Sequence, residues 1–472
     1  MCTAAIVVLI AVTGGTQATT PPARAEIPPH LGYGINVRQE SNVDPLVAPL
    51  GFEWVKLWEE YEGDPPAERL PYQVMFVIEC NGMAANLDTW GDHVEAIATA
   101  GLGFVEAYEI GNEPNVERFW GGASPDPREY FWMLKVAYER IKAVDPAAIV
   151  VSAGLAPVGR VQGGCNGLNG NDCHAMDERE FARVMLLWGA GNYFDAFGYH
   201  PYGFAYAPET DPHSVSNGFA FRGAEVMHDL LEEYDLGHKP IWATEFNWLR
   251  EWEGSPPPSD CSSEYEANFG WMEVSEAYQA DYLTRAFQYA DANWPWMGVM
   301  FVWNLDWHNY HHVGYCEAAR FFSIRKGTDS LGSPALAYDA LAGMEKRVGH
   351  FGPRLAITPS ALTFLVDVDE PAVYTTTLLP SNTGYRVLTW AATAETGLPV
   401  TPTLPITTGL QGAPLTVTVN TTGYLTGTFT GALTVTATTT DVLDTPQTVP
   451  VTLLVVPEVY RAYLPLTFHS AP

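Results

Sequence analysis

Apolar and polar positions follow two different patterns along this chain, and the change falls near residues 349–359. Before it, short apolar runs alternate with stretches of helical periodicity, for example 126–144 and 224–234. Eight strands that alternate with helices predict a parallel (β/α)8 TIM barrel, although a doubly wound sheet would give similar strands. The predicted strands are 31–37, 53–57, 73–78, 104–112, 149–152, 194–200, 241–245 and 299–303.

Alternation within the last three predicted strands supports a barrel with polar groups at its mouth. Side chains two residues apart share one face of a strand. In each of these strands, one face runs from apolar or small residues to a polar or aromatic residue at the carboxyl end. The three faces are Ala196, Gly198 and His200; Ile241, Ala243 and Glu245; and Val299, Phe301 and Trp303.

From residue 356 the chain is rich in threonine, and short alternating runs are separated by Gly, Pro and Asn. The runs at 362–368, 373–379, 415–420, 432–438 and 448–455 predict a small antiparallel, immunoglobulin-like β-sandwich. We therefore expect a barrel domain at 26–352 and a sandwich domain at 353–472. The sandwich contains no catalytic pairing, so a supporting role or attachment to a cell surface or glycan is expected for it.

The charge of the chain excludes two classes of partner. Its 472 residues carry a formal net charge of −31, and 47% of them are apolar. Such a surface repels nucleic acid and anionic lipid, so we expect neither as a partner. The chain has 15 Trp, 23 Tyr and 21 Phe, which indicates a folded protein and not an acidic disordered one.

The amino-terminal residues have the pattern of an export signal. An apolar run at 4–12 is too short to span a bilayer, and Ala23-Arg24-Ala25 offers a cleavage site. We therefore expect residues 1–25 to be a signal peptide and the protein to be secreted. No other stretch is long enough to be a membrane helix.

Export would allow disulfides among the cysteines that remain after cleavage. Cys165 and Cys173 are the easiest pair, and Cys261 and Cys316 could also bridge. Cys80 is expected to be a buried thiol. The cysteine spacing does not resemble a zinc site, and we expect no metal or cofactor.

Candidate chemistry lies at the ends of the fourth and seventh predicted strands. Asn112-Glu113-Pro114 ends the fourth, and Glu245 ends the seventh. Glu113 alone would be an ordinary solvated residue before a turn. Two carboxylates at the carboxyl ends of barrel strands, however, converge on the face where such barrels keep their active sites. A pair of carboxyl groups is the apparatus that cleaves glycosidic bonds.

The segments Tyr108-Glu109-Ile110-Gly111-Asn112-Glu113-Pro114 and Ile241-Trp242-Ala243-Thr244-Glu245-Phe246 resemble the signatures of glycoside hydrolase clan A. These are retaining (β/α)8-barrel glycosidases, here of the cellulase-like family 5 or family 39 type. The resemblance covers roughly residues 30–350. It implies that Glu113 is the acid/base and Glu245 the nucleophile.

The same resemblance implies substrate-binding roles for further residues. His200 and Tyr202 match the sixth-strand positions, where a tyrosine hydrogen-bonds the nucleophile. Trp303 matches the tryptophan that floors the sugar subsite, and Asn112 is placed to bind the sugar 2-hydroxyl. Two positions depart from the pattern: Lys56 stands where many members have arginine, and Glu79 where family 5 members often have histidine.

Several other side chains near strand ends have two readings each. Trp58, Trp248, Trp120 and Trp307 are sugar platforms or packing residues. Glu109 is expected to make a structural hydrogen bond below Glu113. The segment 306–312 contains three histidines, and a sugar-contacting loop is favoured over a metal cluster.

Together these features predict a secreted, retaining β-glycoside hydrolase that acts on a neutral poly- or oligosaccharide with two glutamates and no cofactor. A β-xylosidase- or β-glucuronidase-like exo-enzyme is the alternative within the same class. The alternative from another class is a non-catalytic glycan-binding protein of the cell surface.

Overall fold

A computed structural model describes residues 32–38, 43–159, 174–252, 269–307, 317–326, 332–346, 353–370, 373–382, 388–394, 400–402, 414–438 and 442–459. The chain divides into two compact units, Ile27–His350 and one that contains Phe351–Pro472. Some predicted features lie outside the described residues. They are the signal segment 1–25, the cysteines Cys165, Cys173, Cys261 and Cys316, and residues 308–312.

The first unit is built on eight parallel strands. They are β1 (Gly32–Asn36), β2 (Trp54–Trp58), β3 (Gln73–Ile78), β4 (Ala107–Ile110), β5 (Ile149–Ser152), β6 (Phe197–Tyr199), β7 (Ile241–Phe246) and β8 (Met297–Val302). Their order in the sheet is β5-β4-β3-β2-β1-β8-β7-β6. Isolated bridges from Val151 to Ala196 and from Leu155 to Tyr199 join the two edge strands. The sheet is therefore a nearly closed barrel, whereas a doubly wound sheet would leave its edge strands apart.

Helices follow the strands, and the longer ones pack on the outside of the sheet. They are α1 (Val43–Val47), α2 (Glu59–Glu62), α3 (Leu87–Ala100), α4 (Pro127–Val144), α5 (Glu178–Leu187), α6 (Gly223–Glu233), α7 (Glu276–Asn293), α8 (Ala319–Phe322) and α9 (Leu336–Gly343). Local sequence sets where α4 begins, because the Asp126 side chain accepts hydrogen bonds from the backbone N–H groups of Arg128 and Glu129. None of the described helices is both long enough and apolar enough to cross a bilayer.

Two layers of side chains fill the barrel unit. Outward-facing strand residues join the helices in one buried cluster, which also contains the free thiol Cys80. Inward-facing residues fill the interior, where the Trp54 ring lies 5.1 Å from that of Trp242. The predicted alternation of the seventh strand is therefore wrong, because Ile241 and Ala243 belong to the outer cluster.

A β-bulge explains how Glu245 nevertheless reaches the interior. Ala243 pairs with Met300, but Phe246 pairs with Val302, so β7 uses one more residue than β8 over this stretch. An extra residue on one strand re-aims the side chains beside it. Phe246 returns to the outer cluster, and Glu245 in the bulge is buried beside other polar groups of the mouth.

The fourth strand is shorter than predicted. Gly103 has a φ of +85°, and the backbone N–H of Phe104 donates to the carbonyl of Gly101 at 2.9 Å, which makes a turn. Apolar residues in this turn extended the predicted strand back to 104, whereas β4 begins at Ala107.

The described residues of the second unit form two four-stranded sheets. Its strands are β9 (Leu355–Thr358), β10 (Leu362–Asp367), β11 (Val373–Asn382), β12 (Trp390–Ala394), β13 (Val400–Pro402), β14 (Leu415–Asn420), β15 (Gly427–Ala437) and β16 (Gln447–Val456). The sheet orders are β9-β11-β14-β13 and β10-β16-β15-β12. Both sheets contribute to one buried cluster, as the strands of a sandwich do. The expected antiparallel pairing is wrong at one place, because β10 and β16 pair in parallel.

Because the barrel closes beside β6, we expect one glycine of this strand not to tolerate a larger side chain. A Cβ on Gly198 would lie 2.1 Å from the backbone carbonyl oxygen of Ser152. Because backbone cannot move aside cheaply, we expect Gly198→Ala to lower the free energy of unfolding by about 1–3 kcal/mol in urea titrations. Gly343→Ala in α9 is the control, since no atom lies within 4 Å of its Cβ position. Equal stability of the two variants would contradict the expectation.

Candidate active site

The two predicted carboxylates meet at the carboxyl end of the barrel. Glu113 lies in the turn after β4, and Glu245 lies in the bulge of β7. One oxygen of each carboxylate and one ring nitrogen of His200 all lie within 4.8 Å of one another. Residues 132 positions apart in the chain thus face each other across a gap that one reacting atom of a ligand would fill.

An unusual backbone conformation aims Glu113 into this gap. Its φ is +43°, in the left-handed region that side chains other than glycine rarely adopt. Its backbone N–H donates to the carbonyl of Gly154 at 3.0 Å, which anchors the turn to the segment after β5. Strain of this kind costs on the order of 1–3 kcal/mol and concentrates at functional sites. The Glu113 side chain keeps 15% of its surface exposed, so a ligand can reach it.

Glu245 is held by three neighbours. The Tyr202 hydroxyl donates to its Oε2 at 2.6 Å. The Lys56 ammonium lies 3.6 Å from its Oε1, and only 5% of the Glu245 side chain is exposed. Burial holds the pKa of Glu245 above its ordinary value, against the lowering effects of His200, Lys56 and the Tyr202 hydrogen bond.

Lys56 occupies the barrel interior beneath Glu245. Its Nζ lies 2.7 Å from Oε2 of Glu109, and neither side chain is exposed to solvent. The ammonium also donates to the Thr244 carbonyl at 3.3 Å and lies 4.2 Å from the centre of the Trp58 ring. The predicted hydrogen bond of Glu109 is present, because its Oε1 accepts from the Gly154 N–H at 2.9 Å. Glu109 is thus also the main counter-ion of Lys56.

His200 connects the two carboxylates to β7. Its Nδ1 lies 2.8 Å from Oε1 of Glu113, and its Nε2 lies 3.0 Å from the Thr244 hydroxyl. Burial lowers the pKa of His200, but the carboxylates of Glu245 and Glu113 outweigh it, so the pKa is raised. The donor spacing of the three groups would also suit a metal ion. The ammonium of Lys56 beside Glu245 disfavours a second cation there.

Aromatic side chains form one wall of the mouth. Trp303 is partly exposed, and its ring lies 4.8 Å from Trp307 and 5.6 Å from Trp58. The Asn247 side chain donates to the carbonyls of Trp303 and Phe322, which fixes the backbone below the wall. Trp303 therefore keeps part of its side chain exposed at the mouth, as a sugar platform must.

Trp248 is wrongly predicted as a sugar platform. It is fully buried, and a Cβ on Gly203 would lie 1.8 Å from its ring. Its Nε1 donates to the Tyr206 carbonyl at 2.7 Å. Trp120 is equally buried, so both are packing residues. Their positions after strands predicted proximity to the mouth, but both rings pack in the outer cluster, Trp248 against Gly203 and Trp120 near Tyr130 of α4.

Two contributors to the site were missed in the sequence. Asn36 Nδ2 donates to the carbonyls of Thr244 and Val302, each at 3.2 Å, and so ties β1 to β7 and β8. The sequence feature that could have identified Asn36 is its place as a polar residue at the end of an apolar strand. Thr244 contacts Lys56 and His200, and it was missed because the predicted alternation put Ala243 and Glu245, and not Thr244, on the inner face.

Glu79 is a further carboxyl at the mouth, directly after β3. Its backbone N–H donates to Oε2 of Glu59 at 2.8 Å, and its own Oε1 is buried. Burial, with help from the nearby carboxylates of Glu60 and Glu59, raises the pKa of Glu79 to about 8. At neutral pH this side chain is therefore mostly a neutral carboxylic acid, which can both donate and accept a hydrogen bond.

The arrangement is chemically asymmetric. Glu245 is immobilised by Tyr202, Lys56 and His200, while Glu113 is more exposed and has a single strong partner in His200. A fixed carboxylate beside a reachable one can attack a carbon centre while the other transfers a proton.

Comparisons with known proteins give weak likenesses only. No protein-family model and no curated protein matches the chain. A β-glucuronidase from Bacteroides uniformis is 12% identical, with a TM-score of 0.41 over 91% of this chain and 46% of that chain. A β-glucuronidase from Parabacteroides merdae is 9% identical, with a TM-score of 0.40 over 90% of this chain and 50% of that chain. A glucosidase from Croceicoccus marinus is 15% identical, with a TM-score of 0.44 over 85% of this chain and 84% of that chain.

The chain thus spans about half the length of these two β-glucuronidases. The resemblance to clan A, and to its families 5 and 39, stays a prediction. With TM-scores this low, function has to be inferred from the residues of the site.

The raised pKa of Glu79 predicts a pH-dependent stability. The folded protein keeps this proton up to a pH of about 8, whereas the ordinary value is 4.5. The stabilisation is therefore complete below pH 4.5 and is lost as the pH rises towards 8. Since glutamine cannot lose a proton, we expect the Tm of Glu79→Gln to rise relative to wild type across this interval.

Thermal unfolding followed by circular dichroism measures the effect. Glu139→Gln in α4, whose side chain is 56% exposed, is the matched control and should keep a constant difference from wild type. A constant difference for Glu79→Gln as well would show that Glu79 does not hold its proton.

Proposed function

We propose that the protein is a retaining β-glycoside hydrolase. The observation that carries this proposal is the pair Glu113 and Glu245, whose carboxylate oxygens approach within 4.8 Å at the barrel mouth. Retaining glycosidases hold their two carboxyl groups about 5–5.5 Å apart, while inverting ones leave about 6.5–9.5 Å for a water molecule. The short separation supports double displacement.

In the first step, the Oε of Glu245 attacks the anomeric carbon while Glu113 donates its proton to the leaving oxygen. The glycosidic bond breaks, and a covalent glycosyl-enzyme forms. In the second step, Glu113 accepts a proton from water, the water oxygen attacks the anomeric carbon, and the bond to Glu245 breaks. Two inversions give net retention, and both proton transfers use groups of the chain itself. No cofactor enters either step.

The neighbours of the two glutamates suit these roles. Tyr202 and Lys56 stabilise the negative charge of Glu245 before attack and again when it leaves. Asn112 is proposed to bind the sugar 2-hydroxyl, and its Oδ1 is buried without a hydrogen-bond partner among the described residues. Trp303 is proposed as the floor of the sugar subsite.

The substrate is proposed to be a neutral poly- or oligosaccharide. A uronic acid would need an available cation, but among the described residues Lys56 is engaged by Glu109, and Arg38 by Asp306 at 3.2 Å. A β-xylosidase- or β-glucuronidase-like exo-enzyme of the same clan remains the alternative. Export, disulfides at Cys165–Cys173 and Cys261–Cys316, and an attachment role for the second unit are proposed from the sequence alone.

A non-catalytic glycan-binding protein is the rival of another class. Such a protein would bind sugars through aromatic and polar side chains. It would not need a carboxylate held by a tyrosine hydroxyl and a lysine ammonium, as Glu245 is. Release of the aryl group from aryl β-glycosides separates the two functions, because a binder shows affinity without release.

Replacement of the nucleophile should abolish turnover. We expect Glu245→Ala to lower kcat on the best aryl β-glycoside by at least about 10⁴-fold, as removal of covalent catalysis does. Sodium azide should restore aryl release and give a glycosyl azide of inverted configuration, identified by NMR. A variant as fast as the parent, or rescue with a retained product, would refute Glu245 as the nucleophile.

The Tyr202 hydroxyl should contribute to rate and to pH dependence. Hydrogen bonds to charged groups contribute about 1.5–3 kcal/mol, so we expect Tyr202→Phe to lower kcat/KM by about 10- to 100-fold. This hydrogen bond lowers the pKa of Glu245, so its loss should move the acidic limb of the kcat/KM profile to higher pH.

Tyr278→Phe is the matched control, since Tyr278 is 56% exposed on α7. It should leave both the rate and the profile unchanged. An unshifted profile for Tyr202→Phe would mean that the hydroxyl does not act on Glu245.

A further inference from the structure

Three neighbouring strand ends at the mouth carry buried polar atoms that lack a partner. They are Nε1 of Trp58 at the end of β2, Oε1 of Glu79 after β3 and Oδ1 of Asn112 after β4, and none has a hydrogen-bond partner among the described residues. Trp58 and Asn112 are themselves more than nine-tenths buried, at 3% and 7% exposure. Leaving one such buried group without a hydrogen bond costs about 1–3 kcal/mol. Three such groups on adjacent strand ends therefore indicate a ligand-binding site.

Strand register places the residues that carry these atoms at the ends of adjacent strands. Trp58 pairs with Val77 across β2 and β3, and Ile78 pairs with Ile110 across β3 and β4. Val77 belongs to an inward cluster with Trp58, whereas Ile78 packs in the outer cluster. Alternation therefore directs Glu79, the next residue, inward on the side of Val77.

Charged groups of the mouth lie close enough to Glu79 to influence its carboxyl group. They are Glu60 and Glu59, together with Lys56 and Glu109, which lie under Glu245. Glu59 is itself engaged, because its Oε1 lies 2.8 Å from Nε2 of His93 and its Oε2 accepts from the Glu79 N–H. Oε1 of Glu79 has no hydrogen-bond partner among the described residues, so its hydrogen-bonding capacity is left for a ligand.

We propose that Glu79, flanked by Trp58, binds a hydroxyl group of the glycone and is a specificity-determining residue of the site. The proposal rests on the proposed function, since it concerns the sugar that Glu113 and Glu245 cleave. A sugar hydroxyl both donates and accepts, and it matches an indole N–H donor beside a carboxyl group. The catalytic steps above make no use of Glu79, so its role lies in recognition.

A cycle of residue and substrate changes tests the proposal. The parent substrate is the 4-nitrophenyl β-glycoside that the wild-type protein turns over fastest, compared with its 3-, 4- and 6-deoxy derivatives. In the wild type, removal of the recognised hydroxyl should lower kcat/KM by about 10- to 100-fold. In Glu79→Ala the same removal should cost less than about 3-fold, because the partner is already gone.

A merely structural role of Glu79 would give a different result. Glu79→Ala would then slow all substrates by the same factor, and additive effects at every position overturn the proposal. Glu53→Ala is the matched control, because Glu53 is another part-buried carboxyl with a raised pKa, of about 7, but it lies just before β2 at the opposite end of the barrel. Its effects should be additive with every deoxy substitution.

The proposal can also be tested if the wild-type protein shows no turnover. If the wild type released no aryl group, the hydrolase function would fail, and the same cycle would be measured as dissociation constants by calorimetry with the same compounds. Coupling between Glu79 and one hydroxyl in those constants supports its role in sugar recognition. Additive constants, or no binding by the folded wild-type protein, overturn it.

Discussion

A lysine ammonium buried in the barrel is the constraint on which the rest of the mouth depends. Moving a cation out of water costs several kcal/mol unless oxygen atoms replace its hydration. Glu109, Thr244 and Glu245 supply those oxygens from β4 and β7 at 2.7, 3.3 and 3.6 Å from Nζ. Because lysine is a point charge with three donors, it can serve carboxylates on different strands, where arginine would favour one planar, bidentate contact.

This charge arrangement gives Glu109 and Glu245 different roles. Glu109 is the nearer partner of Lys56, so Glu245 receives part of the positive field without being neutralised in a tight ion pair. Tyr202 adds a directed hydrogen bond, and His200 links Glu245 to Glu113. A carboxylate stabilised too strongly would be a poor nucleophile, and one left unpaired in this interior would hold its proton. The contacts of Glu245 place it between these two extremes of stabilisation.

Two backbone irregularities aim the carboxylates, and neither belongs to regular barrel geometry. The bulge of β7 turns Glu245 inward although Ile241 and Ala243 face the helices. The left-handed φ of Glu113 turns its side chain back over the barrel end. Unpaired polar atoms at the ends of β2, β3 and β4 add a similar cost, which a bound sugar would offset.

The sequence by itself determined the repeating elements and the chemistry at their ends. Periods of two and of about 3.6 residues are local properties, so the eight barrel strands and helices such as α4 could be predicted, as could Glu113 and Glu245 at strand ends. Burial and aim depend on distant segments of the chain. Trp248 and Trp303 both follow barrel strands, but only the tertiary structure decides that Trp248 is fully buried and Trp303 is partly exposed. The bulge at Glu245 and the Lys56–Glu109 pair likewise arise when strands far apart in sequence pair side by side, because register and electrostatic contact are set by tertiary packing and not by neighbouring residues.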